Sequence, residues 1–228
     1  MKKYLILAAQ KEELDALFNT LNFTVEESNQ LEVKVYQDKN VILYGLMSGI
    51  GKVSMAFTMG LFFANHDVDY VINIGVAGSI SSQLRKMQTF VSDKVAYWDV
   101  DLTKFGHPVG EMSDCPLYFL ADEQLKNKAV SLLGQSGNCG LIISGDSFIS
   151  KENIKKEWYT QFENPLACDM ESAAVAQVCY RQKIPFLIIR SISDDPVNDK
   201  DNSEEYEFNL SLASNQAGKL VFKLIFNK

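Results

Sequence analysis

Three carboxylic acids sit at positions where a folded chain can put them to chemical use. Asp194 follows an apolar run, Pro185 to Ile189, extended by Arg190-Ser191-Ile192-Ser193. A carboxylate at the end of such a run is costly in its apolar surroundings, so a functional role outweighs a structural one. Glu12 and Glu13 open a segment of helical spacing, and Asp169-Met170-Glu171 precedes the small residues Ser172-Ala173-Ala174. Taken singly, these last two have ordinary roles. Acids favour the positive end of a helix dipole, and Asp169 to Glu171 suits N-terminal capping. Taken together, Glu13, Glu171 and Asp194 fall at one edge of the sheet that the alternating elements imply. The histidines are His66 and His107, and the four cysteines, Cys115, Cys139, Cys168 and Cys179, lack CxxC spacing. No metal site and no redox motif is therefore expected, and the chemistry falls to carboxylates acting as general acid and base.

The elements that must carry these residues alternate along the chain. Tyr4 to Ala9 is an apolar run of strand length, and Gln10 to Phe18 places Leu14, Leu17 and Phe18 on one helical face. Strands are expected over 31–36, 41–47, 70–74, 90–98, 141–143 and 185–190. Helices are expected over 52–65, 121–133, 170–182 and 206–226, and the polar stretch 194–207 is expected to be a mobile loop. Alternation of this kind favours one mixed or parallel sheet with helices on both faces. In such sheets ligands bind beyond the carboxyl ends of strands. There the sequence offers Ser48-Gly49-Ile50-Gly51, Gly75-Val76-Ala77-Gly78 and Ser191 to Asp194. The first of these turns lacks the third glycine of a dinucleotide fingerprint. Five residues, rather than four, separate Gly45 from Gly51, and Val53 follows Lys52, so the P-loop pattern fails as well. A plain strand-to-helix turn remains open for it.

The 228 residues suit one large α/β domain or two small ones, with 46% apolar and 22% charged residues. The net charge of −7, without a basic block, disfavours nucleic acid. The apolar stretch after Met1-Lys2-Lys3 is too short, and too soon followed by charge, for a signal peptide. The longest apolar stretch, Val53 to Ala64, is too short to span a bilayer. Together with four unpaired thiols, these features lead to the expectation of a cytoplasmic protein without membrane partners.

As a set, Ala9-Gln10-Lys11-Glu12-Glu13, Ser48 to Val53, Ser144-Gly145-Asp146-Ser147-Phe148-Ile149, Asp169 to Ala174 and Arg190 to Asp194 resemble the 5′-methylthioadenosine/S-adenosylhomocysteine nucleosidases of the nucleoside phosphorylase superfamily. The resemblance runs in order over nearly the whole chain. It implies a three-layer α/β/α sandwich with a central mixed sheet, a single domain over 1–228, a homodimer, and no cofactor. It makes Glu13 the base that activates water and Asp194 the acid at purine N7, which must hold a proton near neutrality, as burial would arrange. Glu171 and the Met170 backbone would hold the ribose hydroxyls. Phe148 and Ile149 would take adenine, and Ile50 and Met170 would line the 5′-thio pocket. Val76, Ser193 and Phe208 complete the expected substrate contacts, with Tyr206 an alternative to Phe208 as the closing aromatic. Leu102 and Phe105 would reach into the neighbouring subunit's pocket. Gln10 stands where the family usually has an apolar residue.

Three rival readings remain. Phosphorolysis normally wants arginine around the phosphate, and only Arg85, Arg181 and Arg190 exist. A non-catalytic adenosine-binding module has no need for both acid and base. A dinucleotide oxidoreductase is weakened by the failed glycine fingerprint.

Overall fold

A computed structural model describes residues 1–134, 138–195, 197 and 203–227. Ten strands are present among them: β1 (Lys2–Ala8), β2 (Thr24–Ser28), β3 (Leu31–Gln37), β4 (Val41–Met47), β5 (Tyr70–Ser79), β6 (Thr89–Tyr97), β7 (Phe119–Leu120), β8 (Asn138–Ser144), β9 (Pro165–Asp169) and β10 (Phe186–Asp194). The α-helices are α1 (Lys11–Phe18), α2 (Lys52–Phe63), α3 (Glu123–Leu133), α4 (Trp158–Gln161), α5 (Ser172–Gln182) and α6 (Ser203–Phe226).

The strands form one mixed sheet. From one edge the order is β2, β3, β4, β1, β5, and β5 pairs with both β10 and β9. The path β10-β6-β8-β9 then returns to β5, so five strands close on themselves. Strands β4, β1, β5 and β10 run parallel. Parallel strands covered on both faces must be apolar on both, which is why β1 reads as a continuous run rather than an alternation. Its side chains divide with a period of two. Leu5 and Leu7 join a core with Met55, Phe62 and Ala173 from α2 and α5. Tyr4, Ile6 and Ala8 join another with Leu14, Leu125 and Leu220 from α1, α3 and α6. These are the helical layers of an α/β/α sandwich. A smaller cluster gathers Ile143, Trp158 and Phe162.

The structure departs from the sequence reading where strands meet glycine or polar residues. β5 continues through Gly75 to Gly78, because β10 and β9 pair with that stretch on its two edges. β10 likewise runs on to Asp194. β9 escaped detection: it is short, poor in β-branched residues and begins with a proline, a position that tolerates the missing donor. α5 begins at Ser172 rather than Met170, and α6 at Ser203, inside the stretch expected to be a loop. Within that stretch, 196 and 198–202 lie outside the described residues.

The packing of α6 on α1 is close. A Cβ on Gly218 would stand 2.7 Å from the Ala16 carbonyl oxygen. Alanine normally stabilises a helix interior relative to glycine by about 1 kcal/mol, but here overpacking opposes it. Gly218→Ala should therefore destabilise the protein, by about 1–3 kcal/mol, as a lowered urea midpoint at unchanged slope.

Candidate active site

The carboxyl ends of β1, β5 and β10 and the starts of α1, α2 and α5 border a cavity of about 200 Å3. Glu13, Glu171 and Asp194 all line it, and all are buried, at 4%, 8% and 2% exposure. The sequence places them 181 positions apart end to end (194 − 13); the sheet order puts them on one wall.

Glu13 is held by backbone. Its Oε2 accepts from the N–H groups of Ala9 and Gln10, both at 2.9 Å, and its Oε1 accepts from Val76 N–H at 3.0 Å. The first two donors lie in the β1–α1 turn and the third in β5, so the carboxylate bridges two elements. Burial pushes its pKa up, against the nearby Arg190 charge and the three donors. Gly75 makes room for this group: a Cβ there would lie 2.6 Å from Glu13 Oε1.

Glu171 is the N-cap residue of α5, yet its side chain turns away from that helix. Its Oε1 accepts from Gly51 N–H at 2.8 Å, at the N-terminus of α2. Gly51 needs its lack of a side chain, since it sits at φ 95° beside Asp146. Burial first, then the Asp169 charge, push Glu171 up to about 8, while Arg190 and the Gly51 donor oppose. The capping expected for this region belongs instead to Asp169, whose Oδ1 accepts from Ser172 N–H at 3.3 Å.

Asp194 is re-aimed by a bulge. The register of β10 against β5 shifts between Ile192 and Asp194, and such an extra residue turns the side chain that follows. Ser193 Oγ donates to Asp194 Oδ1 at 2.6 Å, and Asn209 Nδ2 holds the Ser193 carbonyl at 2.9 Å.

Sequence reasoning weighed Arg190 only as a phosphate ligand. It is 1% exposed, and its guanidinium is already engaged: Nε and Nη2 donate to Asp169 Oδ2 at 2.9 and 2.7 Å, and Nη2 also reaches Asn73 Oδ1 and Ser172 Oγ. Ser144 Oγ completes Asp169 at 2.7 Å. The signal was an arginine inside an apolar strand, where a charge must be paired.

Of the other expected contacts, Met170, Phe148, Ile149, Ile50, Val76 and Ser193 line the cavity. Tyr206 lines it too, its ring 5.6 Å from that of Phe148. Phe208 does not; it is 78% exposed, and two residues after Tyr206 it points about 200° around α6, away from the wall that Tyr206 faces. Leu102 and Phe105 lie away from this cavity, with Phe105 81% exposed. Among the described residues no cluster of His, Cys, Asp and Glu is arranged to hold a metal ion.

Similarity to known proteins is extensive. The model of the phosphorylase superfamily matches residues 3–225. A 5′-methylthioadenosine/S-adenosylhomocysteine nucleosidase of Buchnera aphidicola subsp. Schizaphis graminum is 33% identical, covering 98% of this chain and 95% of its own. That of Staphylococcus carnosus is 33% identical over 96% and 97%. Among solved structures, the nucleosidase of that name from S. pneumoniae, with the transition-state inhibitor MT-ImmA, superposes with a TM-score of 0.90 at 30% identity over 97% of each chain. An S-adenosylhomocysteine nucleosidase from Streptococcus pyogenes, in complex with 5-methylthiotubericidin, gives 0.92 at 29% identity over 99% and 97%.

The raised Glu171 pKa has a consequence for stability. The folded chain keeps this proton up to about 8, whereas the unfolded chain releases it near 4.5. Between these values the folded state binds more protons, so raising the pH through this window removes stability. Glu171→Gln keeps an acceptor for Gly51 without the charge. The variant should gain in Tm on wild type as pH rises from 5 to 8.5, with the gap closing again at pH 5; a pH-independent difference would contradict the assignment.

Proposed function

The chain belongs to the 5′-methylthioadenosine/S-adenosylhomocysteine nucleosidases of the phosphorylase superfamily, and from that premise we propose how its residues carry the reaction. The enzyme hydrolyses the N-glycosidic bond of 5′-thio-substituted adenine nucleosides, releasing adenine and the 5′-thioribose. The observation that carries the assignment of roles is the meeting of Glu13, Glu171 and Asp194 in one cavity.

Breaking C1′–N9 builds positive charge on the ribose and negative charge on the base. Asp194, fixed by Ser193, gives its proton to N7, and adenine leaves neutral. Glu13 takes the proton of the water whose oxygen bonds to C1′. A buried carboxyl of raised pKa suits a base that acts late, once the ribose cation has strengthened the attack. The ionised Glu13 carboxylate facing the ribose stabilises its charge in a site sheltered from water. Glu171 and the Met170 backbone hold the ribose hydroxyls. Phe148 stacks on adenine, the Ile149 backbone bonds to it, and Ile50, Met170 and Val76 face the sugar and its 5′ group. Tyr206, rather than Phe208, closes the pocket.

Phosphorolysis is disfavoured by the arginines. Arg190 is committed to Asp169 and Asn73, while Arg85 and Arg181 are exposed and do not line the cavity. The assembly is proposed to be a homodimer. Ile50, Val53 and Phe57 form an exposed apolar stripe at the start of α2, at 54%, 80% and 63%. Such a patch marks an interface; through it Leu102 and Phe105 would enter the partner's pocket. Elements from both ends of the chain, β1 and α6, contribute to one core, which supports a single domain over 1–228. Four free thiols and no helix, among the described residues, long and apolar enough to cross a membrane support a cytoplasmic location.

Adenine release from methylthioadenosine should proceed equally with and without phosphate, and without a ribose-1-phosphate product. Glu13→Gln and Asp194→Asn should each lower kcat by about 10²–10⁴-fold in a folded protein; full activity in either would remove its assigned role. Phe57→Asp should shift the protein to monomers on size-exclusion chromatography and lower adenine release with them.

A further inference from the structure

One polar contact in the cavity is not used by the chemistry above. The Gln10 amide Nε2 donates to the Tyr206 hydroxyl, joining the β1–α1 turn to the first turns of α6. Both side chains line the cavity and both are half-buried. With Asp194, Phe148 and Ile149 at the base, Glu171 at the diol and Glu13 at C1′, the wall left for the substituent on the 5′ carbon is Gln10, Ile50, Val76, Met170 and Tyr206. Two of these five side chains are polar.

The hydrogen-bond inventory shows what this polar pair can accept. The tyrosine oxygen receives a proton from Gln10, so its own O–H points elsewhere; the amide keeps a second N–H. Burial and the charges of Glu13, Glu171 and Asp194 push the phenol up to about 12, so it stays a donor across the physiological range. A short alkylthio group against these donors would exclude water and return no hydrogen bond, leaving them under-satisfied. A hydroxyl at the same place accepts from either donor.

Resting on the nucleosidase reading, we propose that Gln10 and Tyr206 form a specificity-determining pair that reads the 5′ substituent. The pair shifts preference towards adenine nucleosides whose 5′ carbon bears a hydrogen-bonding group, such as a hydroxyl, and away from those bearing a short alkylthio group. Asp194, Glu13 and Glu171 act on the common part of every such substrate, so the pair alters selection without altering the bond broken.

The test compares kcat/KM for adenine release from adenosine and from 5′-methylthioadenosine, in the wild type and in Gln10→Met and Tyr206→Phe. Each ratio is taken on one protein sample, so a partly folded variant lowers both rates alike and leaves the ratio intact. The adenosine-to-methylthioadenosine ratio should fall about 2- to 10-fold in each variant, the equivalent of one hydrogen bond. A ratio unmoved or raised in both variants, in an enzyme that releases adenine normally, overturns this inference alone. If the wild type releases adenine from neither substrate, the nucleosidase reading falls and this inference with it.

Discussion

Arg190 is the only buried cation among the described residues, and it stands among four buried carboxyls: Glu13, Asp169, Glu171 and Asp194. One positive charge cannot neutralise four negative ones, and isolated ionised carboxylates are costly in an apolar interior. The structure resolves this by unequal treatment. Asp169 takes the guanidinium directly and gains Ser144 and Ser172 as further donors. Glu13 and Glu171 feel Arg190 only at longer range, and burial prevails, so both are pushed towards holding their protons. Carboxyl groups shifted in this direction can exchange protons nearer neutrality than free ones do.

Backbone geometry supplies the remaining control. α1, α2 and α5 all begin at the cavity, and their N-terminal ends are electropositive. Glu13 occupies the first turn of α1, and Glu171 spans from the start of α5 to the start of α2. Peptide N–H groups fix these side chains without adding a titratable neighbour, and they bind the anionic form, offsetting part of the burial penalty. The same donors are rigid because each belongs to a strand or helix end. Glu13, for example, ties the β1–α1 turn to β5.

The wall of the cavity is less uniform than its floor. It includes Phe148, Ile149, Ile50 and Met170, and between the β1–α1 turn and α6 the Gln10–Tyr206 bond. This contact joins the start of the chain to its C-terminal helix at the cavity wall.

Much of this was legible in the sequence. The apolar run of β1, the helical spacing of α1 and the alternation of the later elements favoured one mixed or parallel sheet with helices on both faces, because strands buried on both faces read as continuous apolar runs; the three-layer sandwich itself was implied by the family resemblance. The acids at the strand and helix ends were legible as well, since charge next to apolar runs is costly and therefore noticeable. What the sequence left undetermined depended on contacts between distant segments. Nothing local marks β9 as a strand or carries β5 through its glycines; the pairing of Gly78 with Cys168 and Asp194 does so. That Tyr206 rather than Phe208 lines the cavity follows from the face that α6 presents as it packs on α1 and β10. And Arg190 read as one arginine of three until the fold placed Asp169 and Asn73 against it. Periodicity records how much of a segment is buried, but which charge faces which is decided only when the chain closes.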